Sequence, residues 1–163
     1  MSTDLEQFYE IFFEESSELL ADMEACLLRL DVNSPDLEDL NAIFRAAHSI
    51  KGGAGTFGFT DMTEATHMLE TLLDKLRKGE LEVRSEMIDA FLRAGDVIRE
   101  QLAAHRGEGQ ADPAAAVAIC EELKRLSDES QRAVKNIEND AVQSKVAPSQ
   151  QIAKITQDQS QPV

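Results

Sequence analysis

The sequence predicts an all-α fold: an antiparallel four-helix bundle with a shorter fifth helix and a flexible C-terminal tail. Three observations carry that expectation. Apolar residues recur at three- and four-residue spacing, and period-two runs of β-branched residues are hard to find. Helix formers (Leu, Ala, Glu) dominate while aromatics make up only 5%. Turn signals cut the pattern into segments of about twenty residues, roughly 30 Å each as helices. The 163 residues, 42% of them hydrophobic, suffice for one core. The bundle is expected over residues 1–130 and the tail over 131–163.

The first helix is expected from about Asp4 to Leu30. Leu5, Phe8, Ile11, Phe12, Leu19, Met23, Leu27 and Leu30 mark its inner face, and Thr3-x-x-Glu6 forms a capping box. Its other face carries Glu10, Glu14, Glu15, Glu18, Asp22 and Glu24, which read either as a solvated face or as a docking surface. Ser34-Pro35 supplies an N-cap and first-turn proline for the second helix. That helix turns Leu37, Leu40, Ile43, Phe44, Ala47 and Ile50 inward and leaves Asn41, Arg45, His48 and Lys51 on its polar side.

Gly52, Gly53, Gly55 and Gly58 then dilute the pattern, each costing about 1 kcal/mol relative to alanine if helical. Two readings stand: a frayed helix end, or missing side chains that admit a partner or a phosphoryl group beside His48. Thr60-Asp61-x-x-Glu64 caps a third helix that runs to Lys78-Gly79, with Met62, Ala65, Met68, Leu69, Leu72, Leu73 and Leu76 as its stripe. The short link makes helices two and three antiparallel neighbours, which allows Glu70 to lie across from His48. His67, three residues before Glu70, shares its face.

The fourth helix is expected from Ser85 to about His105, with Ile88, Phe91, Leu92, Gly95, Ile98 and Leu102 inward and Gly107-Glu108-Gly109 as its stop. Asp112-Pro113 opens the fifth, with Val117, Cys120, Leu123 and Leu126 at helical spacing. Beyond about Glu129 the pattern fades, and from Val142 the composition is that of a linker.

Composition removes several function classes. A net charge of -15 leaves no basic surface for neutralising phosphates, so a protein partner is expected and nucleic acid is not. No apolar run reaches the roughly 20 residues that span a bilayer, and no charged start precedes an apolar stretch. No membrane insertion is expected, and the cytoplasm is the expected location. Cys26 and Cys120 sit among apolar residues at helical spacing and read as buried small hydrophobes. The glycines follow Lys51 and end a helix, the reverse of a phosphate-cradling loop. Three histidines with Glu70 lack the close ligand pairs of a metal site.

What remains is nucleophilic chemistry by one exposed imidazole. A carboxylate that accepts the Nδ1 hydrogen fixes the tautomer in which Nε2 keeps its lone pair. Glu70 is the candidate for that task, and Lys51, one turn beyond His48, can offset the charge of a phosphoryl group. A surface histidine beside a solvated glutamate is the bland alternative, and a non-catalytic helical interaction module is the rival function.

The stretch Ala46-Ala47-His48-Ser49-Ile50-Lys51-Gly52-Gly53-Ala54-Gly55-Thr56-Phe57-Gly58-Phe59 resembles the signature of histidine-containing phosphotransfer domains, in their chemotaxis form. Generic members share only the His-x-x-Lys-Gly core, and the likeness here runs from Phe8, Phe12 and Phe13 to about Leu126. The resemblance implies that His48 is phosphorylated at a ring nitrogen by an ATP-binding kinase domain, typically that of the other subunit in a dimer. The group then passes to an aspartate of a response regulator receiver domain. It also implies that Glu70 orients the histidine and that Lys51 and His67 support it; Arg45 with Gly52, Gly53 and Gly55 is the expected docking surface. On this reading the chain needs no cofactor of its own, because ATP belongs to the kinase domain. It is a phosphate carrier without autonomous kinase activity, joined by its tail to further domains in receptor-associated signalling complexes.

Overall fold

The computed structural model describes residues 2–129, and residues up to Ser127 form one compact unit. The expected boundary near residue 130 and the tail 131–163 lie outside the described residues. Helices α1 (Ser2–Arg29), α2 (Leu37–Phe57), α3 (Thr60–Arg77) and α4 (Ser85–Arg106) are followed by α5, described over residues 113–129. Of α1 to α4, each touches two others in a ring: α1 meets α2 and α4, and α3 meets the same two. Pairs such as Arg29–Asp39, Phe44–Arg77, Glu24–Arg99 and Asp61–His105 show that ring neighbours run antiparallel. The helix α5 adds Ile119, Leu123 and Leu126 to the core and is tied to α4 by Arg93–Glu122 at 2.6 Å. Among the described residues no helix is long and apolar enough to cross a membrane.

The helices fall where periodicity places them, but several ends and faces differ. The start of α1 precedes Thr3, so Thr3 lies inside the helix and the capping box does not form. Leu5, Phe8 and Ile11 are exposed and Leu19 is half-buried, whereas Phe12, Met23, Leu27 and Leu30 are buried as expected and Phe13, Ser16 and Leu20 join them. Adjacent doublets (Phe12/Phe13, Leu19/Leu20) fit two stripes, and tertiary packing chose between them. The N-cap of α2 is Asp36, not Ser34: its carboxylate accepts from Glu38 N–H at 2.9 Å. Leu37 is accordingly exposed at the first turn. Phe59, not Thr60, is the N-cap of α3. Ile88 and Leu92 are only half-buried, with Met87, Ala90 and Ala94 taking the interior of α4. In α5, Val117 is exposed and Ile119 buried in its place. Cys26 is buried, whereas Cys120 is only partly so.

The glycine stretch differs most. The helix does not fray at Gly52 but runs through Gly52, Gly53 and Gly55 to Phe57. Gly58 ends it at φ 74°, where L side chains are strained, and Phe59 N–H reaches back to Ala54 C=O at 2.9 Å. Phe57 and Phe59, on either side of that turn, join Tyr9, Phe12 and Phe13 of α1 in one aromatic cluster with ring centroids 4.6–6.2 Å apart. The cluster anchors the α2–α3 turn on α1, and so sets the register in which α2 faces α3.

Candidate functional site

That register places His48 of α2 opposite Glu70 of α3, 22 residues on, with His48 Nδ1 and Glu70 Oε1 2.7 Å apart. Glu70 is the one charged residue among the buried residues of α3, and its side chain is only 12% exposed. Its second oxygen, Oε2, is buried and takes the ammonium of Lys51. Burial raises the carboxyl pKa of Glu70, but hydrogen bonds and charge attraction from Lys51 and His48 outweigh it and hold the pKa below the ordinary glutamate value. Glu70 is therefore an ionised acceptor, and the shared hydrogen resides on His48 Nδ1. Nε2 is left with its lone pair, on a side chain that is 63% exposed.

Lys51, expected to offset the charge of a phosphoryl group on His48, pairs here with Glu70. It thus keeps the orienting carboxylate ionised. Beside Lys51 and Glu70 runs a shallow groove that Phe44, His67, Asp74 and Lys75 also line; His48 is not part of its lining. His67 is exposed there and is not brought into hydrogen bonding with His48. Arg45 is exposed one turn before His48.

The glycines divide in two. A Cβ at Gly52 or Gly55 would meet open space, so both leave bare backbone on the exposed side of α2. A Cβ at Gly53 would lie 2.6 Å from the ring of Phe12, so Gly53 serves the close approach of α1. Sequence reasoning also missed two aromatic contacts. The Phe44 ring lies nearly parallel to the His48 imidazole, with centroids 6.0 Å apart and 10° between planes. The guanidinium of Arg77 sits 3.7 Å from the Phe44 centroid. Phe44 at four residues before His48 was readable as a neighbour; Arg77 required the helix pairing.

The described residues thus form a ring of helices that presents one imidazole tied through Nδ1 to a buried carboxylate. The family model for the Hpt domain matches residues 7–151, and the chain belongs to that family. The chain is homologous to the amino-terminal region of chemotaxis protein CheA: it is 53% identical over 127 residues to CheA of Salmonella typhimurium. That match covers 78% of this chain and 19% of the relative. CheA of Rhizobium meliloti is 41% identical over 124 residues, covering 76% of this chain and 16% of the relative. The chain thus spans about a sixth to a fifth of the length of these relatives. Among solved structures, the histidine phosphotransfer domain of CheA matches with a TM-score of 0.65 at 33% identity, over 73% of this chain and 90% of that one. The phosphorylated P1 domain of CheA3, in complex with CheY6 from R. sphaeroides, shares the fold with a TM-score of 0.66 at 20% identity, over 77% and 97%.

Proposed function

We propose that His48 accepts a phosphoryl group at Nε2 from the ATP-binding domain of a chemotaxis histidine kinase and passes it to an aspartate of a response regulator. In the first step the Nε2 lone pair forms a bond to the γ-phosphorus of ATP, the bond to the bridging oxygen breaks, and ADP leaves. In the second, an aspartate oxygen of the receiver domain forms the new bond to phosphorus. The N–P bond breaks and its electron pair returns to Nε2. Throughout, Glu70 keeps the Nδ1 hydrogen and stabilises the positive charge that develops on the ring. Lys51 is placed to turn from Glu70 to the phosphoryl oxygens once they arrive, and His67 is a further polar contact in the same groove.

The observation that carries this reading is the 2.7 Å bond from His48 Nδ1 to a buried, ionised Glu70 with the outer nitrogen left exposed. A structural histidine needs neither the buried partner nor the open side. Relatives support the acceptor step, since the P1 domain of CheA3 is found both phosphorylated and in complex with CheY6. Gly52 and Gly55, with Arg45 beside them, are the backbone on which the two large partners dock in turn, and Gly53 brings α1 up behind them. The chain carries no ATP site in this scheme: the kinase domain, acting from the other subunit of a dimer, supplies it. The setting is a cytoplasmic, receptor-associated signalling complex.

Labelling decides between carrier and interaction module. With a cognate kinase domain and ATP, the chain takes up an acid-labile, base-stable phosphate and a receiver domain then removes it. His48→Gln abolishes the label while leaving the helical circular dichroism signal unchanged. Undiminished labelling of His48→Gln, or partner binding without any phosphate uptake by the wild type, would overturn the proposal.

A further inference from the structure

Glu70 holds the imidazole of His48 at one atom. A single hydrogen bond at Nδ1 sets a tautomer and a position, but the ring can still swing about that bond. Where Nε2 points depends on the plane of the ring, and in-line attack on phosphorus requires the lone pair to be aimed. A second contact is needed to fix the plane.

Phe44 supplies it. Residues four apart on a helix stack one above the other, and here the two rings lie within 10° of parallel at 6.0 Å. Phe44 is itself only half-buried, so α2 alone does not immobilise it. The clamp comes from the last turn of α3, where the Arg77 guanidinium covers the Phe44 ring at 3.7 Å. Arg77 is in turn held: its Nη2 donates to Asp74 Oδ1 at 2.8 Å, and the other oxygen of Asp74 takes Lys78 Nζ at 2.8 Å. A planar guanidinium on an aromatic face is a contact that lysine cannot reproduce. The result is a continuous column, Asp74–Arg77–Phe44–His48, that runs from the end of α3 to the reacting ring.

We propose that Phe44, clamped by Arg77, is a positioning residue that sets the plane of the His48 imidazole and thereby the aim of Nε2. The inference rests on the phosphotransfer reading of His48, and it adds a second orienting group from the side of the ring that Glu70 does not hold. Because the column acts on geometry, it changes the rate of the chemical step and leaves partner affinity alone.

The test uses Phe44→Leu, Phe44→Tyr and Arg77→Met in the full chain. Relaxation of the His48 ring carbons, measured by NMR on unphosphorylated protein, reports ring order without any reaction. Phe44→Leu is expected to loosen the His48 ring and to lower the maximal phosphorylation rate roughly three- to tenfold with KM for the kinase domain unchanged. Phe44→Tyr restores both, and Arg77→Met gives a smaller loss of the same kind, about twofold. If Phe44→Leu weakens folding, the surface change Arg77→Met carries the decision. Wild-type ring order in Phe44→Leu and Arg77→Met, or a change confined to KM, overturns the proposal. Should the wild type take up no phosphate, the phosphotransfer reading fails, while the relaxation data still decide whether Phe44 and Arg77 order the ring.

Discussion

Two histidine–carboxylate pairs bridge neighbouring helices among the described residues, each at 2.7 Å, and they differ in what matters to a nucleophile. His48 gives its inner nitrogen, Nδ1, to Glu70 and keeps Nε2 open on a side chain 63% exposed. His105 gives its outer nitrogen, Nε2, to Asp61, and its side chain is 28% exposed. Its ring lies flat against Phe59 at 3.9 Å, inside the aromatic end of the bundle. The carboxylates differ too. Glu70 is 12% exposed and shared with Lys51, whereas Asp61 is 42% exposed and also accepts from Met62 N–H at 2.8 Å. One pair presents a nitrogen; the other fastens the start of α3 to the end of α4. Proximity of imidazole to carboxylate therefore defines neither role. The choice of nitrogen and the burial of the carboxylate do.

The largest separation between the pairs is expected from neutralising their carboxylates. Glu70→Gln is expected to slow phosphorylation roughly 10- to 100-fold, the scale of losing an orienting partner, with the circular dichroism signal intact. Asp61→Asn is expected to leave the phosphorylation rate within about twofold of wild type and to lower thermal stability slightly, as an exposed pair does. Equal kinetic effects would dissolve the distinction. Glu70→Gln also has a signature in pH. The pKa of Glu70 is lower in the folded state than in the unfolded state, so its stabilisation is fully present above the ordinary value of about 4.5 and is lost as pH falls through the lowered one. Acid titration of Tm is expected to show, below about pH 4.5, a fall in wild type that is blunted in Glu70→Gln. Parallel curves would place the stabilisation elsewhere.

Smaller effects come from the glycines that flank the open nitrogen. Gly52→Ala and Gly55→Ala add side chains to open space on a helix and are expected to raise stability by up to about 1 kcal/mol each. If this backbone receives the partners, both changes slow phosphorylation severalfold while making the protein more stable. Gly53→Ala is expected to do the reverse to stability: its Cβ meets Phe12 at 2.6 Å, and overpacking of about 1–3 kcal/mol outweighs the helical gain. Chemical denaturation read beside labelling rates checks all three.

The comparison also marks what the sequence made legible. Helical periodicity located α1 to α4 to within a few residues at most ends, and the short α2–α3 link allowed Glu70 to lie across from His48, where it is found. Leu5, Phe8, Ile11 and Leu19 were misplaced on the inner face of α1 because paired aromatics and leucines satisfy two faces, and only the aromatic cluster at Phe57 and Phe59 selects one. The His105–Asp61 pair was invisible for a related reason: it joins helices whose adjacency depends on the ring order of the whole bundle. Arg77 over Phe44 and Gly53 against Phe12 are likewise contacts between elements, with no periodic signal in either element alone. The single unusual run, His48 to Gly58, stood out as a candidate site because so many glycines serve no ordinary helix, although the helix in fact continues through most of them.

The central claim is that Glu70 occupies Nδ1 so that Nε2 is the nucleophile. Long-range proton–nitrogen and phosphorus–nitrogen correlation NMR on the phosphorylated chain, labelled at its histidines, tests it most directly. The geometry predicts phosphorus bonded to Nε2 of His48 with Nδ1 still carrying its hydrogen. Phosphorus on Nδ1 of His48, or on His67 or His105, would contradict it.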